Sequence, residues 1–93
     1  MQPFYRIKIL TPQGTAYASE AVHTLVPGED GFVGVLANHA PYVTSSAGGR
    51  LEVRERDGRE VKFVVGTGFF EVRGNEATLF TQSCSQQNAD AAA

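Results

Sequence analysis

The stretch from Leu51 to Val64 constrains the fold most. Leu51-Glu52-Val53-Arg54-Glu55 and Glu60-Val61-Lys62-Phe63-Val64 both alternate apolar with charged residues, and they flank Arg56-Asp57-Gly58-Arg59. Alternation with a period of two sends successive side chains to opposite faces of an extended chain, and Asp-Gly suits a tight turn whose twist matches its strands. The stretch is therefore a hairpin with one dry face. The same grammar recurs along the chain. Tyr5-Arg6-Ile7-Lys8-Ile9 alternates, Thr11-Pro12-Gln13-Gly14 reads as a turn, and a short strand around Thr15 to Ala18 returns from it. Phe70-Glu71-Val72 and Ala77-Thr78-Leu79-Phe80 form a second hairpin turning at Arg73-Gly74-Asn75-Glu76, while Gly66-Thr67-Gly68 lets the chain bend sharply between the two. No stretch holds a helical period. The fold class is all-β, a two-layer antiparallel β-sandwich with Greek-key or jelly-roll-like links.

The inward set expected from this pattern is Tyr5, Ile7, Ile9, Val33, Val35, Leu51, Val53, Val61, Phe63, Val65, Phe70, Val72 and Leu79. Glu20 to Val26 resists assignment, because Val22, Thr24 and Val26 share one face, Ala21, His23 and Leu25 the other, and both are mixed. Pro27 to Pro41 carries glycines at 28, 31 and 34, with prolines at both ends. It reads as a shaped loop on a rigid body, followed by a short strand at Tyr42-Val43-Thr44 and small-residue punctuation from Ser45 to Gly49. Residues 1–82 make the sandwich. Residues 83–93 have no apolar periodicity and are expected to be a flexible tail, in which Asn88 or Asp90 could cap a helix too short to complete a turn.

With 93 residues the chain is one domain, with an expected radius of gyration of roughly 12 Å. The formal charge of −2 argues against nucleic acid, and the basic residues between Arg50 and Lys62 are diluted by Glu52, Glu55, Asp57 and Glu60. No run approaches the ~20 apolar residues of a membrane helix, and the start lacks a basic segment leading into an apolar one, so a soluble, unexported chain is expected. Cys84 is the only cysteine, which rules out an internal disulfide.

A search for chemistry finds little. Ser83 or Cys84 with His23 or His39 gives no spacing that suggests a nucleophile and its base, and two distant histidines with one cysteine give no metal-ligand pattern. The glycines at 28, 31 and 34 lack the lysine and following helix of a phosphate cradle. The expectation is no catalytic residue, no metal and no cofactor.

Three pieces in order carry a resemblance: Ile9-Leu10-Thr11-Pro12, the Pro27–Pro41 run with Tyr42-Val43-Thr44, and Val65-Gly66-Thr67-Gly68-Phe69-Phe70-Glu71-Val72. Together they resemble the epsilon subunit of F-type ATP synthase, specifically its N-terminal β-sandwich domain. The resemblance implies a non-catalytic central-stalk subunit that joins the gamma subunit to the membrane c ring and couples proton flow to ATP synthesis. It places the chain at the cytoplasmic face of a bacterial inner membrane, or the thylakoid stromal face, without membrane insertion. The family's C-terminal helical hairpin lies outside the match, so neither hairpin-based inhibition nor nucleotide binding is expected.

Carried over by position, the resemblance makes Thr11, His39 and Thr44 gamma-facing and Glu29, Asp30, Gly31 and Phe32 ring-facing. The residues alone favour a His39 ring that bonds its own loop; the resemblance favours a partner surface. Phe32, a large apolar residue in a glycine-rich run, either tucks into the core or waits for a partner. The family often has an acid at that position, whereas here the acids stand earlier. The rival reading is a free-standing small-ligand-binding module, against which stand the absence of Trp and of clustered stacking aromatics.

Overall fold

A computed structural model describes residues 3–87. The described residues form nine strands: β1 (Tyr5–Thr11), β2 (Gly14–Gly28), β3 (Gly31–Leu36), β4 (Tyr42–Ser46), β5 (Gly49–Glu55), β6 (Glu60–Val65), β7 (Gly68–Arg73), β8 (Glu76–Thr81) and β9 (Cys84–Gln87). The described residues contain no helix.

The 15-residue β2 is shared by the two layers. Its first half pairs with β1, from Thr11↔Gly14 to Tyr5↔Ala21, and its second half lies between β3 and β5. The β5 ladder slips at the junction, where Ala21 opposes Glu55 and His23 opposes Arg54, leaving Val22 as an extra residue. From Tyr17 to this bulge the odd-numbered residues face inward; after it the even-numbered ones do. Ala21, Val22, Thr24 and Val26 are all buried as a result. A simple alternation could not assign Glu20 to Val26 because the assignment changes within it.

One layer is β4, β7, β8, β1 and the start of β2; the other is β3, the rest of β2, β5, β6 and β9. The expected uniformly antiparallel pairing has one exception. β1 and β8 run parallel, from Arg6↔Glu76 to Leu10↔Phe80, whereas the other pairings among described residues are antiparallel. Alternation reports which way side chains face, and it is silent on the direction of a sequence-distant neighbour.

The shaped loop expected at Pro27–Pro41 is mostly a hairpin. β2 continues to Gly28, Glu29 and Asp30 turn, and β3 runs back from Gly31, where φ is +124°. Only residues 37–41 connect β3 to β4 without strand structure. The β7–β8 ribbon crosses to the other layer as β6–β9, held at the corner by Gly66 N–H donating to the Ser83 carbonyl (2.9 Å) and Gln82 N–H to the Thr67 carbonyl (3.2 Å). Thr81 Oγ1 donates to the Gly66 carbonyl at 2.8 Å. At Gly68 a Cβ would fall 1.8 Å from the Phe80 carbonyl oxygen, so this corner accepts only glycine. Strand structure therefore extends past residue 82, because backbone pairing with β6 orders Cys84–Gln87 although their side chains bury little. Asn88 and Asp90 lie outside the described residues.

The core closes around the expected inward residues, each buried except Val33. Val33 is half-buried because, among the described residues, β3 pairs with β2 alone and its other edge is open. Burying a Phe or Leu side chain stabilises by about 1.5–3 kcal/mol, and Phe63, Phe70, Leu51 and Leu79 are all fully enclosed. Tyr5 brings a hydroxyl into this core. It donates to the Val35 carbonyl at 3.2 Å and is bonded to the Thr24 hydroxyl. Burial pushes its pKa up to about 12, against the lowering effect of Thr24. The radius of gyration is 12.3 Å, as expected for a compact chain of this length.

Candidate interaction surface

The registers of β1, β8, β7 and β4 place Leu10 beside Phe80, Phe80 beside Phe69 and Phe69 beside Ser45. Their chain neighbours Ile9, Leu79 and Phe70 point into the core, so this row points outward. Val43 stands on the same face one row away, opposite Glu71. Phe69 is 59% exposed, Phe80 46% and Val43 65%. Scattered surface apolar residues are ordinary; aligned on neighbouring strands they form a patch that water solvates poorly.

The second feature is the β2–β3 tip. Glu29, Asp30, Gly31 and Phe32 are adjacent and all exposed, with Phe32 at 56% and pointing away from the core. The Glu29 N–H donates to the Ser45 carbonyl at 3.2 Å, which ties the tip to the end of β4. A Cβ at Gly28 would come 2.7 Å from the Gly31 carbonyl oxygen, so the turn closes tightly. Neither tip carboxylate forms an ion pair among the described residues.

Thr11, His39 and Thr44 occupy three separate places. Thr11 ends β1, and its Oγ1 accepts from the Gln13 N–H at 3.2 Å. Thr44 is half-buried in β4 opposite Phe70, with Oγ1 donating to the Ser45 carbonyl at 3.2 Å. His39 lies in the 37–41 loop, where Nδ1–H donates to the Ala40 carbonyl at 2.7 Å and the ring meets Tyr42 edge-on with centroids 5.9 Å apart. Asn75 fixes this loop: its Oδ1 accepts from the Asn38 N–H at 2.9 Å while its Nδ2 donates to the Phe4 carbonyl at 2.7 Å. Asn75 and Gly74 form the two-residue β7–β8 turn with φ of 62° and 59°, the left-handed pair that such a hairpin requires.

The charged hollow beside the β5–β6 turn, about 560 Å³ and lined by Ser19, Glu20, Glu55, Arg56, Asp57 and Arg59, is bound up in internal contacts. Glu55 is buried and receives hydrogen bonds from the Tyr17 hydroxyl and from Arg59 Nε (3.1 Å) and Nη2 (2.9 Å). Burial alone would raise the Glu55 pKa, but the bonds from Tyr17 and Arg59 outweigh it and hold the carboxyl below its usual range. The Tyr17 phenol is pushed upward, first by burial and then by that carboxylate. Arg56 pairs with Glu20 at 3.0 Å and lies 3.9 Å over the Phe4 ring. Cys84 is half-buried, and burial pushes its thiol up, away from the reactive thiolate. No group of three or more His, Cys, Asp and Glu gathers to hold a metal among the described residues.

The sequence reading missed Leu10, Val43, Phe69 and Phe80. A signal existed for three of them. In a period-two strand, adjacent apolar pairs such as Ile9-Leu10, Phe69-Phe70 and Leu79-Phe80 cannot both face inward.

Fold and surface together define a class: a β-sandwich with an exposed apolar strand face and an exposed acidic hairpin tip. The chain belongs to the family described as ATP synthase, Delta/Epsilon chain, beta-sandwich domain, whose profile it matches over residues 4–87. It is 36% identical over 81 residues to the ATP synthase epsilon chain of Pelotomaculum thermopropionicum, covering 87% of this chain and 60% of that one. It is 33% identical over 81 residues to the ATP synthase epsilon chain of Chlorobium limicola, covering 87% and 92% respectively. The chain thus spans about three-fifths of the first relative and nearly all of the second. Among solved structures it resembles a chain of the Euglena gracilis mitochondrial ATP synthase (OSCP/F1/c-ring) with a TM-score of 0.80 at 22% identity, over 86% of this chain and 51% of that one. It also resembles a chain of the Tetrahymena thermophila mitochondrial ATP synthase central stalk and c ring, with a TM-score of 0.71 at 12% identity over 86% of this chain and 64% of that one. The structural likenesses establish the fold.

Proposed function

We propose that this sandwich is a mechanical coupler in the central stalk of an ATP synthase, binding a gamma subunit on one surface and the polar loops of a c ring on another. It performs no reaction of its own and works as a peripheral part of the complex, at the cytoplasmic or stromal face. The observation that carries this reading is the outward row Leu10, Phe80 and Phe69 with Val43 nearby. Thr11 follows Leu10 and Thr44 follows Val43, so two of the three positions that the family resemblance assigns to gamma border this apolar row, while His39 stands in the 37–41 loop. Those threonines turn toward their own backbone, which leaves the outward residues to supply most of the contact energy. Burying exposed aromatic surface in a partner is favourable at roughly 25 cal/mol per Å² of apolar area.

The ring-facing role falls to Glu29, Asp30, Gly31 and Phe32, which combine two acids that form no ion pair among the described residues with an exposed ring at one tip. A partner bearing basic and apolar groups fits that chemistry, and the ionic part of the contact should weaken with salt. A close-packed body of low compressibility is suited to carrying torque between the two.

The test is a pull-down of the chain with a purified gamma subunit, compared with Phe69→Asp and Phe80→Asp. Both variants should retain the fold and lose most gamma binding. Undiminished binding by both would remove this face from the contact. A chain that binds no gamma subunit but captures small ligands would instead support the binding-module reading.

A further inference from the structure

β3 hangs off the closed circuit of strands, pairing among the described residues with β2 only, so every second backbone N–H and C=O along Gly31–Leu36 faces away from the sheet. Edges of this kind usually carry charge, proline or a cover, because a bare edge templates another strand. This one reads Gly-Phe-Val-Gly-Val-Leu, with Phe32 56% and Leu36 59% exposed. The segment is also nearly symmetric about Gly34: a large residue, valine, glycine, valine, a large residue.

That symmetry names an occupant. If two such strands meet antiparallel about a two-fold axis through Gly34, Phe32 of each copy opposes Leu36 of the other. Each Val33 then opposes a Val35, and the two Gly34 residues face each other. The acidic Glu29–Asp30 tip of each copy comes beside the Asn38–His39 end of the other. A parallel pairing would instead set the two acidic tips side by side, and the like charges would oppose it. We propose that a second copy of this chain docks on the β3 edge, β3 against β3, as an isologous antiparallel dimer. The arrangement is closed, since each copy covers the other's bare edge and assembly stops at two.

The dimer buries Phe32 and crowds the tip, so on the reading given above a self-associated chain could not also hold the ring. That consequence rests on the proposed function; the dimer itself does not, and its test uses the chain alone.

The experiment is sedimentation equilibrium of the purified chain over a concentration series, with Phe32→Lys and Leu36→Glu as variants. Both positions are exposed, and thermal melts by circular dichroism would verify that the variants fold. A monomer–dimer equilibrium is expected for the native chain, with the association constant reduced about tenfold or more in each variant, because each removes two cross-strand apolar pairs. Mixing the two variants should restore association, since Lys at 32 then opposes Glu at 36. A second measurement introduces Gly34→Cys in a Cys84→Ser background. A Cβ at 34 has room, its nearest neighbour being His23 Nε2 at 3.5 Å, and mild oxidation should give a dimer linked at that position. A native chain that stays monomeric at every concentration, or a dimer indifferent to both charged variants, overturns the proposal. So does a mixture no more associated than its parts.

Discussion

At the residue scale, Glu55 is the group whose environment makes the sharpest claim. Its carboxylate is buried against Tyr17 and held by Arg59, and its folded pKa lies below the ordinary value. A depressed folded pKa means that the unfolded chain binds the proton more readily. The stabilisation is therefore complete above the unfolded carboxylate pKa and is lost as pH falls through the lower, folded one. Thermal melts from neutral to acid pH should show a falling Tm, and Glu55→Gln should flatten part of that decline while lowering Tm at neutral pH. An acid limb identical in the two proteins would contradict the assignment. Tyr17→Phe leaves one carboxylate oxygen short of a donor and should cost about 1–3 kcal/mol, read from urea midpoints. This burial was legible in part. Leu51 and Val53 are inward, and Glu55 shares their parity, but it reads as one more charge on the wet face unless Tyr17 and Arg59 are known to meet it.

At the element scale, hairpins were legible because their signals are local. Asp57-Gly58 and Gly74-Asn75 each fix a turn between alternating runs, and both expected hairpins are present, with Val53 opposite Val61 and Val72 opposite Ala77. β2 was not legible as one strand, because the bulge at Val22 changes its parity and Pro27 looks like a terminator. The β2–β3 hairpin hid for a related reason: glycines that serve tight closure and close approach read as loop. Gly68 gives the clearest test at this scale. Gly68→Ala drives a methyl into the Phe80 carbonyl and should cost at least about 3 kcal/mol, at the upper end of what overpacking does. At Gly58, where φ is +95° and nothing stands within 4 Å, the same substitution carries backbone strain only, about 1–2 kcal/mol. Equal destabilisation in denaturant titrations would show that packing at the corner is not what selects glycine. Asn75→Ala removes both the Asn38 and Phe4 contacts and should speed amide exchange in residues 37–41 more than in β5 or β6.

At the scale of the whole molecule, the proposed function makes a demand that can be measured. The β1–β8–β7–β4 face and the β2–β3 tip are distinct surfaces of a body 33 × 29 × 25 Å across, and β2 runs through both layers between them. If that body is stiff, damage to one surface should leave the other intact. Phe69→Asp should weaken gamma binding and spare association with an isolated c ring, whereas Glu29→Lys with Asp30→Lys should do the reverse and remove the salt dependence of the ring contact. The two surfaces adjoin at Ser45, which stands beside Phe69 and whose carbonyl accepts from the Glu29 N–H, so additivity is a demanding test. On a rigid scaffold a chain carrying all three substitutions should lose the two affinities with free-energy changes that add to within about 0.5 kcal/mol. Larger non-additivity would mean that binding at one surface reshapes the other, in which case the sandwich is a conformational relay and its stiffness is not what couples the rotor. Additivity together with failure of the triple variant to support ATP-driven ion pumping would place the coupling in simultaneous attachment at both surfaces. The core supports that outcome: Ile7, Ile9, Phe63, Phe70 and Leu79 are each enclosed to within 1% exposure, leaving the interior little room to yield under torque.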